Sequence, residues 1–163
     1  MLKHFSALTL LAGLMAATAV AQDASSISKV QDGNSCPGCN LFQADLSYQD
    51  GQKMNLAGAR LRQSTMALGT FDDVNLSGAN LSVANLFGAR FNRSNFSNAN
   101  LKDAVAVGAY FGSSNLAGAD LSGANLSGAD LSIAHGLTQT QLNYACGDAS
   151  TKLPRGKTIP SCS

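Results

Sequence analysis

The sequence predicts a solenoid, a chain that turns a corner every five residues around one narrow axis. Three observations predict it. Leu116, Leu121, Leu126 and Leu131 recur at a spacing of five. A small residue sits two places before each: Ser114, Ala119, Ala124 and Ala129. And the register persists with no inserted or deleted unit from residue 39 to 133. A helix repeats near 3.6 residues and a strand at 2, so neither gathers residues five apart on one face. A corner in every unit does.

Nineteen centres run from position 41 to position 131 in steps of five, and seventeen hold Leu, Phe or Met; Gly51 and Ala106 depart. Two places earlier, sixteen of nineteen slots hold Ala, Ser, Gly or Cys, with Gln49, Met54 and Val74 as exceptions. One place earlier, thirteen hold Asn or Asp. Small inward residues let the walls approach, while Gly, Asn and Asp suit tight turns.

Units such as Ala79–Val83 (ANLSV), Ala89–Arg93 (ARFNR) and Ala119–Gly123 (ADLSG) resemble those of the pentapeptide-repeat proteins, which read A-(D/N)-L-x-x. The resemblance covers about Cys39 to Ile133. It implies an all-β right-handed quadrilateral parallel β-helix with four units per coil, and it implies no single activity. Residues twenty apart then share a wall. Phe71, Phe91 and Phe111 satisfy this and predict an aromatic column, and Ser94 with Ser114 shares another wall. Just under five coils, at the spacing of stacked strands, make a rod about 20–25 Å long.

Four segments follow. Residues 1–21 read as a signal peptide: Lys3 and His4 precede an apolar run that ends in Ala19-Val20-Ala21. Residues 22–38 form an N-terminal capping segment, with Ile27 and Val30 over the first coil. Residues 39–135 form the repeat. Residues 136–163 hold a short capping helix and a disulfide loop. There Thr138 and Gln141 have the spacing of a capping box, flanked by Leu137 and Leu142, and the helix runs to about Ala145.

Cleavage after Ala21 leaves ten Lys and Arg against ten Asp, so the mature chain is neutral. The expected location is the periplasm or the exterior. Gyrase-protecting relatives are cytoplasmic and strongly acidic, so a DNA-mimic role is disfavoured. Nucleic-acid binding needs a basic stripe, whereas Lys53, Asp73 and Arg93 alternate in sign along one wall. An ice-binding face would want a ladder of threonines, and only Thr65 and Thr70 occupy repeat turn slots. Export favours paired cysteines. The rod separates Cys36 and Cys39 from Cys146 and Cys162, so the expected pairs are Cys36–Cys39 and Cys146–Cys162. A Cys-Pro-Gly-Cys sequence also raises a thiol–disulfide exchange role, the alternative to a structural staple.

Catalytic and metal residues are predicted as none. His135 stands alone in a turn slot, Asp72 and Asp73 are neighbours on an outer corner, and no cofactor motif occurs. The candidate partner patch is Leu68, Phe87, Val105 and Val107, on the wall centred on Met66, Leu86 and Ala106. Two readings of it stand: an outward apolar surface, or a local shift at Ala106 that turns Val105 or Val107 inward. The expectation is a non-catalytic exported scaffold with an unidentified protein partner, no nucleic acid, no membrane contact in the mature form, and dimerisation left open.

Overall fold

A computed structural model describes residues 22–162. The signal peptide expected over Met1–Ala21 lies outside them. The chain winds as a four-sided coil. Parallel bridges join residues twenty apart on every wall, from Asn40 with Arg60 to Asn115 with His135. Each wall contributes one bridging residue per unit rather than a long strand, because the next corner follows at once. The first wall carries centres 41, 61, 81, 101 and 121; the second 46, 66, 86, 106 and 126; the third 51, 71, 91, 111 and 131; the fourth 36, 56, 76, 96 and 116.

Three hydrogen bonds per unit tie one coil to the next. Leu41 N–H donates to Arg60 (2.9 Å), Arg60 N–H to Cys39 (2.8 Å) and Gln43 N–H to Arg62 (3.1 Å). The corner closes when Ala44 N–H returns to the Leu41 carbonyl (3.0 Å). That turn needs a left-handed residue two places after the centre. All such positions from 38 to 128 have positive φ, and eleven are not glycine, Val83 (58°) among them. The backbone conformation is thus imposed by the coil and merely eased by glycine. Asn and Asp act differently. They precede the centre, and their side chains accept an N–H from two residues on, as Asp45 does from Ser47 (3.0 Å) and Asn75 from Ser77 (3.1 Å). Those bonds hold Asp45 below the usual carboxylate range.

All nineteen centres are buried. Phe91 stacks between Phe71 and Phe111 at 5.5 Å on each side, as the twenty-residue spacing predicts. Phe96, on the fourth wall, meets Phe91 and Phe111 edge-on at 5.1 and 5.5 Å. Of the two centres that hold neither Leu, Phe nor Met, Gly51 has a volume explanation. A Cβ on Gly51 would collide with the Met54 methyl and come within 2.9 Å of the Phe71 ring. Ala106 lies on the wall opposite Phe96 in the same coil and is buried. Ser94 and Ser114 are buried in slots that usually hold Ala. The Ser94 hydroxyl donates to the Phe71 carbonyl (2.6 Å) and accepts Val74 N–H (3.2 Å). Ser114 does the same for Phe91 and Ser94.

Both ends are covered. Helix α1 (Ala24–Gln31) starts at Asp23, whose carboxylate accepts from Ser25 and Ser26 N–H, and it buries Val30. Those serines, Ser26 first, lower the Asp23 pKa to about 2. The coil begins earlier than residue 39. Cys36 occupies a centre, Gly38 takes the left-handed corner (φ 70°), and Cys36 N–H bonds Asn55 (2.9 Å). Helix α2 (Gln139–Asn143) has the reciprocal capping box of Thr138 and Gln141, and it ends at Tyr144, sooner than expected. The chain then rejoins the ladder: Cys146 bridges Asn125 and Lys152 bridges Asp130. Residues after α2 therefore extend two walls as well as capping them.

Two substitutions toward the repeat consensus should destabilise. Gly51→Leu overfills the space held by Phe71 and Met54, at about 1–3 kcal/mol. Ser94→Ala removes the hydroxyl that bridges the Val74 N–H and the Phe71 carbonyl, and the corner must tighten to bond them directly, at about 1 kcal/mol. Denaturant unfolding of both variants checks this; a gain in midpoint for either contradicts the packing described.

Candidate functional site

Twenty-residue columns sort the surface by chemistry. Among the repeat units centred on 41 to 131, the first wall carries Arg60, Arg62, Lys102, Asp103 and Asp120. The third carries Asp50, Lys53, Asp72, Asp73, Arg90, Arg93 and Asp130. The second wall has Asp45 as its charged residue and the fourth has none. A linear reading shows mixed charge everywhere; the segregation emerges only when positions are folded onto four walls.

On the nearly uncharged second wall, Leu68 is 48% exposed, Phe87 47% and Val105 42%, with Val107 partly buried. No local shift occurs at Ala106. Val105 N–H bonds Ala84 (2.9 Å), Ala106 N–H bonds Asn125 (2.8 Å), and Ala106 stays buried. Phe87 opens the corner after its centre, and its N–H bonds Asn85 Oδ1 (3.0 Å), so the ring stands outside. The Leu68 side chain lies along Gly88, where a Cβ would meet its Cδ2 at 2.8 Å. Tyr48, missing from the expected patch, is exposed at the same corner one coil below Leu68. The twenty-residue spacing from Leu68 was the available signal.

The third wall differs from expectation at Asp72. Asp73 is partly exposed, but Asp72 is 3% exposed. Arg90 donates to it through Nε (3.0 Å) and Nη2, and Asn92 N–H adds a third bond (3.1 Å). A corner carboxylate becomes buried because its partner eighteen residues on lies directly above it. Arg93 forms a second fork on Asp73 (2.8 and 2.6 Å), a hydrogen bond that holds the Asp73 carboxyl below its ordinary range. Tyr110 lies beside Arg90 and Asn92, and together they line an open groove of about 430 Å³. His135 is exposed at the last regular bridge. Among the described residues, no group of three His, Cys, Asp or Glu gathers to hold a metal ion.

Cys36 and Cys39 sit at disulfide distance with Cα atoms 5.5 Å apart, and so do Cys146 and Cys162 at 4.8 Å. Cys36 is 2% exposed because it fills a centre slot, with Cys39 at the far side of the same corner. Exchange chemistry needs an accessible thiolate. Peptide mapping of protein from an oxidising compartment should recover Cys36–Cys39 and Cys146–Cys162. A Cys36–Cys146 or Cys39–Cys162 link would contradict the end-to-end geometry.

The Pentapeptide repeats family matches in eight copies over residues 39–78, 55–93, 70–103 and 94–132. Among solved structures, HetL, a pentapeptide repeat protein involved in heterocyst differentiation regulation in the cyanobacterium Nostoc sp., is 34% identical, with a TM-score of 0.59. That match covers 62% of this chain and 48% of HetL, so the chain spans about half the length of that relative. A pentapeptide repeat protein of the Arabidopsis thaliana thylakoid lumen is 30% identical over 60% of this chain and 68% of its own, with a TM-score of 0.57. Among curated proteins none matches. With its five-residue register, its twenty-residue ladder and a family match across more than half its length, the chain belongs to the pentapeptide-repeat family.

Proposed function

We infer that the protein is a non-catalytic scaffold, exported after cleavage at Ala21, that binds a protein partner through its second wall. Pentapeptide-repeat proteins are generally structural or binding proteins, and a coil filled to its axis keeps its chemistry on the outside. The observation that carries the reading is the concentration of exposed Leu68, Phe87 and Val105 on a wall whose repeat units carry one charge. An exposed apolar patch bounded by charged faces is the usual mark of a contact surface. We take the coil as right-handed, as the family resemblance implies.

Two alternatives are weaker. A DNA mimic competes through a long negative field, and such steering is lost without net charge. Here the carboxylates Asp72, Asp73 and Asp130 are paired with Arg90, Arg93 and Lys152. A redox role through Cys36 and Cys39 is opposed by burial of Cys36 in the core.

The test is affinity capture from periplasmic extract with wild-type protein and Phe87→Asp. A charge in the middle of the apolar strip should abolish capture of at least one partner while melting stays unchanged. Retention of every captured protein would remove the second wall as the site.

A further inference from the structure

We propose that the groove between Arg90, Asn92 and Tyr110 on the third wall binds a carboxylate carried on a six-membered ring whose face rests on Tyr110. The site is separate from the apolar second wall and stands or falls independently of it.

Arg90 and Tyr110 replace the Asn or Asp that usually precedes a centre, in successive coils of one wall. Neither can bond the N–H two residues on as those residues do. At Arg90 the lost bond is replaced from below, where Asp72 accepts Asn92 N–H (3.1 Å). The same buried carboxylate takes Nε and Nη2 of Arg90. The guanidinium is thus anchored by one edge while the side chain remains 55% exposed. Its Nη1 hydrogens and the outer Nη2 hydrogen are left for the groove, in the planar fork that suits a carboxylate.

The neighbours complete a donor-rich lining. With its amide turned so that both ends are satisfied, Asn92 accepts Arg93 Nη1 on its oxygen and gives one amide hydrogen to the Gly112 carbonyl (3.0 Å), leaving one N–H. The Tyr110 ring lies over Gly112, where any Cβ would collide with its hydroxyl and ring carbons. Glycine there makes room for a flat aromatic platform. The groove therefore offers guanidinium and amide hydrogens together with a phenol, and its carboxylate and amide oxygens are already occupied. Such a lining complements an acceptor-only group. Arg90 and Arg93 are balanced locally by Asp72 and Asp73, so one negative charge is accommodated better than two. The groove's 430 Å³ has room for one ring on the Tyr110 face.

A carboxylate on a ring could come from a uronic acid or from an aromatic acid. The test is a titration of the isotope-labelled protein (residues 22–163) with glucuronate and with benzoate, read on the Arg90 Nε–H and the Asn92 and Gly112 amides. Glucose, benzyl alcohol and inorganic phosphate serve as comparisons. At least one carboxylate should saturate at about 1 mM or tighter, and the neutral compounds should not. Glucuronate alone identifies a sugar acid, and benzoate alone an aromatic acid. Tyr110→Ala, and Arg90→Lys, which keeps a cation on Asp72, should each weaken binding about tenfold or more, with Lys102→Gln unchanged. Melting curves confirm that each variant is folded. No saturable carboxylate binding, binding indifferent to both Tyr110→Ala and Arg90→Lys, or tighter binding of phosphate overturns the proposal.

Discussion

Closure of the coil in twenty residues is the constraint on which everything else rests. Four corners must turn the chain through a full circuit, and each corner needs a left-handed residue two places past its centre. Eleven residues other than glycine accept that conformation, Leu68 and Val83 among them. An isolated residue held there costs about 1–2 kcal/mol. The opposing gain is the ladder of three hydrogen bonds per unit and the burial of every centre. Stability is therefore a sum over interfaces between coils, as in other solenoids.

A second consequence is volumetric. The axis is too narrow for the centre residues to vary independently. Phe71 has Gly51 beneath it. Among the described residues, three serines enter the interior, and each bonds the backbone; the Ser64 hydroxyl donates to the Leu61 carbonyl of its own corner (2.7 Å). Ser94 and Ser114 each give a hydroxyl hydrogen to a phenylalanine carbonyl and accept a backbone N–H. With the centres buried this way, the side chains open to solvent are those beside the corners. The same closure stacks those slots in columns, which is how an even scatter of charge along the sequence becomes two charged and two nearly uncharged walls.

The fold was legible because a five-residue period is incompatible with a helix or a straight strand, and because Phe71, Phe91 and Phe111 betray the twenty-residue circuit. The capping box at Thr138 was legible for local reasons, since its bonds join residues three apart. What escaped was set by distant neighbours. Cys36 reads as a flanking cysteine until the ladder assigns it a centre slot. The tail after α2 has spacings of 21 and 22 rather than 20, so its return to the ladder at Cys146 and Lys152 has no periodic signal. Asp72 looks like a solvated corner residue; its burial depends on Arg90 in the next coil. The apolar strip could be listed from the sequence, but its exposure depended on whether Ala106 broke the register, and a continuous ladder there settled the geometry.

In a four-sided coil, residues twenty apart are neighbours and residues ten apart face opposite ways. Paired spin labels measure both distances. Ser77, Phe87 and Ser97 occupy the same slot on the fourth, second and fourth walls. Labels on cysteines replacing Ser77 and Ser97 should show strong dipolar broadening, since their coils are adjacent. Labels replacing Ser77 and Phe87, closer in sequence, should lie across the rod and show much weaker coupling. The reverse order, with the ten-residue pair nearer than the twenty-residue pair, would contradict the four-sided coil.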